Sequence, residues 1–537
     1  MATLQAQHIR QMHRHASQIQ RKTVSSGTAL SATATKAAVK AAHQRPSRVH
    51  AQTSLSEGQQ GSGSVSAHQV FAPLTKDRPV FRIRQPISVI HEPQSFYHEL
   101  LRGISHARRR VYLSSLYLGG EENELVSVLG GALSRHPDLQ VHILLDCLRG
   151  TRTDSRGMSS AKLLAPLVAT HGTDRVRVSM YHTPALNGLS KQAWPQRYNE
   201  AFGLQHIKGY IFDDDIIVSG ANLSRDYFTN RQDRYMRISD QKFVDYFVGL
   251  IDAISQFSFR VTAGNRTHTL GTANYRLEMP PSVPDPSHEP REFVREANEI
   301  MAQFLQRAEI ENTIDEYEIS ERDTLAIPTV QMRQLGITQD EHHMAEFIEL
   351  ADVFARQHHG GCHNLMASAY FNFSEQYKKS VLSSPSRWEL LVASPQANGF
   401  YDAKGISQFI PDMYSIIEHG FLRDVLKHRR NNDVAVAEYE RNGWTFHGKG
   451  VWCYLNQRLP QMTMIGSPNY GYRSIYRDLE AQITLIPGSE HLRKDIHQEA
   501  QNLLAQSKTV NESELRQRIR DTPLWLYGLK PFIMSKF

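Results

Sequence analysis

Two histidine–lysine pairs stand out in the sequence, one in each half of the chain. The string "QHIKGYIF" places His206 two residues before Lys208, and "FHGKGVWCYL" places His447 two residues before Lys449. The aliphatic and aromatic neighbours predict that both pairs lie on strands, where residues i and i+2 point to the same side. Each strand would present an imidazole and an ammonium together, a combination suited to nucleophilic and acid–base chemistry on an anionic group.

Matching features follow each pair. An apolar run leads to a turn of small residues that ends in an asparagine, Asn222 in the first copy and Asn469 in the second, where Ser467 belongs to the turn. Eleven residues beyond each asparagine stands a carboxylate, Asp233 or Glu480. One such pair is weak evidence for a site, but two copies with the same downstream spacing predict an internal repeat that builds one site.

A site with two histidines, two lysines and two amides suits a phosphodiester. The lysines and the amides of Asn222 and Asn469 neutralise or bond the non-bridging oxygens as charge develops. One histidine attacks phosphorus while the other protonates the leaving oxygen. Asp233 and Glu480 would each orient a histidine as the third group. The cationic side chains fill the electrophilic role, so this chemistry requires no metal and no other cofactor.

Strand and helix patterns also repeat around the two copies. In the first half, "RRRVYLSSLYLGG", "ENELVSVLGGALSRH" and "LQVHILLDCLRGTR" predict strand, helix and strand; "HNLMASAYFNF", "SEQYKKSVLSS" and "RWELLVASPQANGF" predict the same order in the second. This alternation predicts an α/β fold with two pseudo-symmetric lobes, each a mixed sheet flanked by helices, and the active site between them. We expect the lobes over residues 61–285 and 286–520, followed by an aromatic tail over 521–537.

The spacing resembles the signature of the phospholipase D superfamily, H-x-K-x4-D followed by a Gly-Ser-x-Asn turn. His206, Lys208 and Asp213 fit it, which adds Asp213 to the catalytic set, whereas Tyr454 stands at the aspartate position of the second copy. The strings "SGANLS", "YFTNRQDRY", "FHGKG" and "GSPNYGYRS" are similar to those of the eukaryotic mitochondrial phosphatidylglycerophosphate synthases of this superfamily, whose second motif also lacks the aspartate.

That resemblance covers nearly the whole chain after the leader. It implies transfer of a phosphatidyl group from CDP-diacylglycerol to sn-glycerol 3-phosphate, with release of CMP, on the route to cardiolipin. A double displacement through a phosphohistidine intermediate predicts retention at phosphorus and ping-pong behaviour. We expect His206 to be the nucleophile and His447 the acid and then the base, but either histidine can be nucleophilic once it is oriented.

An acceptor that carries a phosphate needs a second anion site. Arginine suits this task because its planar fork binds phosphate oxygens in pairs, although each candidate has the alternative of a surface charge. Arg149 and Arg152, at the end of a predicted strand, are further candidates. The arginines that follow the two turns are Arg225, Arg231, Arg234, Arg473 and Arg477.

Basic charge is concentrated in the first part of the chain. Residues 1–56 hold eight Lys and Arg and no acidic residue, which leaves 53 of the 61 basic side chains against all 55 acidic ones, a net charge of −2. The body is therefore not basic, and this argues against nucleic-acid binding. The leader, residues 1–60, has the composition of a mitochondrial transit peptide followed by a flexible joint, or alternatively of a disordered basic tail.

No run of 18 apolar residues occurs, so we expect peripheral contact with a membrane. The tail "TPLWLYGLKPFIMSKF" combines aromatic residues with lysines and is one candidate for that contact, the alternative being that it packs as core. Leader and resemblance together imply the matrix side of the mitochondrial inner membrane. The three cysteines, far apart, favour neither a disulfide framework nor a zinc site, and the sequence leaves the oligomeric state open.

Three other functions remain open on the sequence. A sister transferase, such as a phosphatidylserine or cardiolipin synthase, would use the same residues with a different acceptor. A nuclease or other phosphodiesterase would use the same histidines, and the charge of the body argues against it. A degenerate scaffold would account for the missing aspartate, but both histidines, both lysines and both carboxylates are retained.

Overall fold

The computed structural model describes residues 65–187, 199–264, 275–314, 319–359 and 361–528. The predicted leader over residues 1–60 and the last residues of the tail lie outside these ranges. Within them, no helix is long and apolar enough to cross a membrane.

Most strands of the described chain belong to two large sheets. In chain order the strands are β1 (Phe81–Ile83), β2 (Ser88–Ile90), β3 (Arg110–Ser114), β4 (Gln140–Asp146), β5 (Val176–Tyr181), β6 (Gly209–Phe212), β7 (Asp215–Ser219), β8 (Arg231–Gln232), β9 (Tyr235–Ser239), β10 (Phe259–Ala263), β11 (Tyr275–Glu278), β12 (Thr324–Met332), β13 (Ile337–Thr338), β14 (Cys362–Ser368), β15 (Arg387–Ala393), β16 (Val434–Tyr439), β17 (Thr445–Phe446), β18 (Lys449–Leu455), β19 (Met462–Gly466), β20 (Glu480–Ile486) and β21 (Ser507–Val510).

Helices connect and flank these strands. The α-helices are α1 (Ala67–Phe71), α2 (Pro93–His106), α3 (Asn123–Arg135), α4 (Cys147–Thr151), α5 (Ser160–His171), α6 (Arg225–Thr229), α7 (Gln241–Gln256), α8 (Pro290–Glu311), α9 (Gln339–Gln357), α10 (Glu375–Ser383), α11 (Ile410–Lys427), α12 (Tyr472–Tyr476), α13 (Glu490–Leu504) and α14 (Glu512–Arg518). Short 3₁₀ helices cover Ala72–Thr75, Glu200–Phe202, Arg333–Leu335, Gly405–Phe409 and Ile519–Asp521.

The two sheets have related topologies, as the repeat predicts. The first has the order β11-β10-β5-β4-β3-β6-β7-β9-β2, and the second β1-β12-β20-β19-β18-β14-β15-β16-β21, with β13 paired to β12. Each contains one parallel trio, β3-β4-β5 or β14-β15-β16, and antiparallel strands elsewhere. The predicted class of two mixed sheets flanked by helices is confirmed.

Helix α7 shows how local sequence builds these layers. Asp240 caps it by accepting a hydrogen bond from the backbone N–H of Phe243 at 3.0 Å. Phe243, Phe247, Leu250 and Ile254 recur every three or four residues and are buried, which makes one apolar stripe. The stripe packs in a hydrophobic core that contains side chains from both sheets together with α8 and α13. This shared core joins the two lobes.

The first strand departs from the predicted lobe boundary. The sequence assigns residues 61–285 to the first lobe, but β1 pairs antiparallel with β12 of the second sheet, with Phe81 opposite Ala326. Phe71 and Leu74, just before it, are buried in the core of the second lobe. Strand β1 therefore covers an edge of β12 that would otherwise expose unpaired backbone groups. After β1 the chain crosses to the first lobe.

The described part of the tail contains one buried side chain among exposed ones. Leu526 is buried and packs with Met413, Ile416 and Ile519 as a small core. Its neighbours are partly exposed, with Leu524 86%, Trp525 47% and Tyr527 40% exposed, and the ring of Trp525 packs edge-on 5.1 Å from the ring of Phe409.

A buried ion pair also fastens the lobes together. Arg234, just before β9, extends into the second lobe, where its Nη2 lies 2.8 Å from Oε2 of Glu499. Its guanidinium stacks 3.7 Å from the ring centre of Trp452 and donates to the carbonyl of Met464 at 2.6 Å. Arg234 is only 1% exposed. The sequence offered Arg234 as a candidate for the acceptor site, but its charge is neutralised inside the protein.

Glu499→Ala is expected to lower the free energy of unfolding by about 3–5 kcal/mol, because it leaves the buried guanidinium without its counter-ion. The control is Glu311→Ala, which removes an ion pair with Arg307 whose side chains are 53% and 77% exposed. That change should cost less than about 0.5 kcal/mol. Denaturant unfolding of the two variants measures the difference, and equal losses would contradict this account of Arg234.

Candidate active site

The two histidine–lysine pairs lie where their strands begin. His206 and Lys208 immediately precede β6, and Lys449 is the first residue of β18, two positions after His447. All four side chains are buried, with exposed fractions of 8% for His206, 3% for Lys208, 4% for His447 and 1% for Lys449. Buried polar groups require partners, and each histidine finds one in the other lobe.

The histidine–carboxylate pairs are crossed between the lobes. Nδ1 of His206 lies 2.9 Å from Oε2 of Glu480, and Nδ1 of His447 lies 2.6 Å from Oδ2 of Asp233. Each carboxylate therefore orients the imidazole of the opposite half. Nδ1 of His447 also lies 2.7 Å from Nζ of Lys449. In the tautomer that donates Nδ1–H to the carboxylate, Nε2 is the nitrogen that remains for chemistry.

Short parallel ladders between the lobes cause this crossing. Strand β17 pairs with β8, so that Phe446 lies opposite Gln232, and His447 donates its backbone N–H to the carbonyl of Gln232 at 2.7 Å. In the other half Gln205 is bridged to Leu479, and His206 donates to the carbonyl of Leu479 at 2.9 Å. In each ladder the residue before the histidine is aligned with the residue before the carboxylate. The next side chains therefore meet.

Burial shifts the pKa values of the imidazoles and of the carboxylates in the direction that favours their neutral forms. It lowers the pKa of His206 and of His447 well below the usual value, and the nearby lysines lower both further. Burial raises the pKa of Asp233 to about 6 and that of Glu480 to about 7, although Lys449 and Lys208 respectively oppose this rise. Desolvation is the largest cause in all four cases.

The lysines are held close to the imidazoles. Lys208 Nζ donates to the carbonyl of His206 at 2.7 Å. Lys449 Nζ donates to the carbonyl of His447 at 2.7 Å and lies 3.9 Å from Oδ2 of Asp233. Burial lowers the pKa of Lys449 to about 8 and that of Lys208 well below its usual value, while the carboxylates of the site oppose both shifts. The nearby carboxylates therefore compensate the burial of the two lysines only in part.

A large cavity opens over the two histidines. It encloses about 1450 Å³ and is lined by residues of both lobes. Both histidines, both turn asparagines and two of the predicted arginines line it, together with the further candidates at the end of β4: His206, His447, Asn222, Asn469, Arg231, Arg473, Arg149 and Arg152.

Three predicted site residues point elsewhere. The Arg225 side chain is 78% exposed and lies 4.0 Å from Glu121. Arg477 donates to the carbonyl of Ala201 and does not line the cavity. Ser467 is fully buried and accepts the backbone N–H of Ala481 at 3.1 Å, so it fixes the turn against β20.

Asp213 is also absent from the cavity. It forms the β6–β7 turn with a φ of 51°. Its carboxylate accepts hydrogen bonds from the backbone N–H groups of Arg108, Arg109 and Arg110 at 3.0, 2.8 and 3.1 Å. The motif position that adds Asp213 to the catalytic set therefore corresponds to a turn that anchors the start of β3.

Tyr227 is a residue of the site that the sequence pattern did not indicate. Its hydroxyl lies 3.2 Å from Nε2 of His447 and accepts a hydrogen bond from Nδ2 of Asn222 at 2.9 Å. The guanidinium of Arg231 lies 4.8 Å from the centre of its ring. Tyr227 stands five residues after the asparagine of the first copy, where the second copy has Ser474. Comparison of the two copies at this offset would have identified the difference.

Arg231 and Arg473 each form an ion pair with a nearby aspartate. The order of the acid and the arginine along the chain is reversed between the two copies. Arg231 pairs with Asp226 at 3.2 Å, and Arg473 pairs with Asp478 at 3.1 Å. Counted from the two asparagines, the acid stands fourth and the arginine ninth in the first copy, and the order is reversed in the second. Both halves thus bring one arginine to the cavity from non-equivalent positions.

Curated relatives match this chain over most of its length. It is 38% identical over 464 residues to a probable CDP-diacylglycerol–glycerol-3-phosphate 3-phosphatidyltransferase of Dictyostelium discoideum, which covers 83% of this chain and 77% of the relative. It is 37% identical over 481 residues to the mitochondrial enzyme of that name from Gallus gallus, with 84% and 83% covered. This chain belongs to the family of CDP-diacylglycerol–glycerol-3-phosphate 3-phosphatidyltransferases.

Membership of this phosphatidyltransferase family confirms the resemblance drawn from the motifs. The crystal structure of phosphatidylserine synthase from Haemophilus influenzae has the same fold, with a TM-score of 0.64 and 16% identity over 88% of this chain and 100% of that one. No protein-family model matches the chain.

Asp213→Ala is expected to lower the free energy of unfolding by about 1–3 kcal/mol, because three backbone N–H groups lose their acceptor and alanine disfavours a positive φ. Asn, which keeps one acceptor oxygen and tolerates this conformation, should restore part of the loss. Phosphatidyltransferase activity per folded molecule should stay within about twofold of the parent. Denaturant unfolding and activity normalised to folded protein measure the two effects, and a loss of activity beyond the unfolded fraction would make Asp213 a site residue.

Proposed function

We propose that this protein transfers the phosphatidyl group of CDP-diacylglycerol to sn-glycerol 3-phosphate, releasing CMP and forming phosphatidylglycerophosphate. The observation that carries the proposal is the pair of buried histidines, each oriented by a carboxylate of the opposite lobe beneath one cavity. The names of the relatives support this choice of donor and acceptor.

His206 is the nucleophile in this proposal, and the contacts of the two Nε2 atoms support the assignment. Nε2 of His447 is already bonded to the hydroxyl of Tyr227. Nε2 of His206 faces the cavity and has no hydrogen-bond partner among the residues that the structure describes. It attacks the lipid-linked phosphorus of CDP-diacylglycerol, and the P–O bond to CMP breaks. His447 takes up a proton at Nε2 when the anionic substrate binds and gives that proton to the departing CMP oxygen.

The second step reverses the proton transfer. Nε2 of His447 takes the proton of the acceptor hydroxyl as that oxygen attacks phosphorus, and the P–N bond to His206 breaks. Asp233, 2.6 Å from Nδ1 of His447, stabilises the imidazolium that forms. Each in-line attack inverts the configuration at phosphorus, so the two steps together retain it. In this proposal the departing and the attacking oxygens bind in turn beside Nε2 of His447, where the Tyr227 hydroxyl now lies.

The lysines and asparagines act on the charge of the phosphoryl group. Lys208 and Lys449 are buried directly beside the histidines, so an anion bound there restores the compensation that burial removes. The amides of Asn222 and Asn469 line the same cavity and donate to the non-bridging oxygens. Arg231, stacked on Tyr227, adds positive charge on the His447 side.

We also propose that the protein lies in mitochondria, at the matrix side of the inner membrane. The leader composition supports a mitochondrial destination, and several relatives are named as mitochondrial. The exposed side chains of Leu524, Trp525 and Tyr527 support peripheral contact with the bilayer that holds the lipid donor.

Removal of either histidine separates the two steps. In mixed micelles with CDP-diacylglycerol labelled in its phosphatidyl group, His206→Ala should form no labelled protein and lose turnover by about 10³-fold or more. His447→Ala should lose turnover similarly but still accumulate labelled protein, because CMP departs with little help. Labelled His206→Ala would reverse the two roles, and turnover with serine or phosphatidylglycerol in place of sn-glycerol 3-phosphate would make the protein a sister transferase.

The rate should have a bell-shaped dependence on pH. Protonation of Glu480, whose pKa burial raises to about 7, removes the charge that orients His206, so the rate falls as the pH drops below about 7. Deprotonation of Lys449, whose pKa burial lowers to about 8, removes a positive charge from the phosphoryl site, so the rate falls above about 8. The pH dependence of kcat/KM measures both limbs. Lys449→Arg keeps its charge at high pH and should shift the alkaline limb upward; an unshifted limb would contradict the assignment to Lys449.

A further inference from the structure

Three arginines of the cavity converge on one glutamate. Arg152 donates to Oε1 of Glu200, and Arg149 lies 3.9 Å from the same oxygen. Arg473 of the second lobe donates to the backbone carbonyl of Glu200 at 3.3 Å. All four residues line the cavity that contains the catalytic histidines. The proposed chemistry at the histidines uses none of them.

We propose that Arg149, Arg152 and Arg473 form the subsite for the phosphate monoester of the acceptor, and that the Glu200 carboxylate occupies this subsite when the acceptor is absent. The inference rests on the proposed function, which requires an acceptor with a phosphate, and adds the residues that recognise it. A carboxylate bound to arginines is a natural stand-in for a phosphate, since the guanidinium fork binds both in the same geometry.

The first-lobe side of the subsite is preorganised. Arg149 and Arg152 follow β4, at the carboxyl end of the parallel trio, where α/β sheets place ligand groups. Asp146 caps α4 by accepting the N–H of Arg149 at 2.8 Å, and its other oxygen accepts the N–H of Gln205 at 3.1 Å. The guanidinium of Arg149 also lies 4.4 Å from the ring centre of Tyr117. The arginines are thereby fixed relative to the residue that precedes His206.

The second-lobe side has unused hydrogen-bonding groups. Nε of Arg473 is buried and has no hydrogen-bond partner in the described ranges, and the same holds for Oδ1 of Asn469. Such groups cost free energy unless something satisfies them. A phosphorylated polyol offers both counterparts, because its phosphate accepts from Arg473 and its hydroxyl donates to Asn469. On the other side of the cavity Arg231 already pairs with Asp226 at 3.2 Å and donates to Thr445 at 3.0 Å.

The subsite opens into the cavity that both histidines line. Tyr370 lines this cavity together with Arg149, Arg473 and Arg231. The ring of that tyrosine lies 5.9 Å from the ring of His447. Only two carboxylates, those of Glu200 and Asp478, form ion pairs with the three arginines in the described part of the chain. A dianion that replaced Glu200 would balance their charge more completely.

Kinetics with Arg149→Gln and Arg152→Gln test the subsite. Each change should raise KM for sn-glycerol 3-phosphate about 10–100-fold, the value of one charge-assisted hydrogen-bond set. Exchange of labelled CMP into CDP-diacylglycerol needs no acceptor. The factor by which its rate falls should therefore be at least tenfold smaller than the factor by which KM rises. KM for glycerol, a neutral acceptor, should change less than threefold. Arg156→Gln is the matched control, because that arginine is 53% exposed and pairs with Asp154 and Glu121.

Glu200→Gln tests the competing carboxylate. It should lower KM for sn-glycerol 3-phosphate about 3–10-fold and tighten the binding of the same compound to the full chain in calorimetry. An Arg149→Gln or Arg152→Gln variant that loses CMP exchange as strongly as acceptor turnover, or that still binds sn-glycerol 3-phosphate like the parent, overturns the subsite. Parent protein that catalyses no CMP exchange but binds sn-glycerol 3-phosphate through these arginines would instead refute the proposed transfer reaction and leave the subsite standing.

Discussion

The crossed histidine–carboxylate pairs are the constraint on which the rest of the structure depends. Each lobe supplies one imidazole and the carboxylate for the other, at 2.9 Å and 2.6 Å. Removal of either partner within the assembled protein would leave a buried histidine or a buried acid unpaired, which is costly in free energy. The short ladders, the shared core and the Arg234–Glu499 pair can therefore be understood as devices that hold two sheets in one register.

Departures from the pseudo-twofold relation give the two motifs different properties. A symmetric site would offer two equal nucleophiles, whereas a transferase that works in two steps needs a nucleophile and an acid–base group. Tyr227 and Ser474 stand at the same offset, and the tyrosine alone contacts the histidine of the opposite lobe at Nε2. The reversed Asp226–Arg231 and Arg473–Asp478 pairs extend this asymmetry to the walls of the cavity.

The sequence predicts what depends on local spacing and repetition, and fails where packing decides. The two motifs, their asparagines and the orienting acids follow from the repeat, but their crossing depends on strand pairing between residues over 200 positions apart. Arg225 and Arg231 look equivalent in the sequence, yet one side chain is 78% and the other 15% exposed, because only Arg231 faces the second lobe. For Asp213 the motif position predicts a site residue. That position does not reveal whether the carboxylate faces a ligand or the backbone.

The pKa shifts of the buried groups have a common direction. Burial raises the pKa values of Asp233 and Glu480 and lowers that of Lys449, so the groups lean toward their neutral forms. In the proposed reaction, a phosphodiester bound beside the histidines would favour the charged forms of the lysines, and charged lysines in turn favour ionised carboxylates. The anion therefore completes the charge pattern that orients both imidazoles. A site arranged in this way reaches its reactive protonation state when its substrate is present.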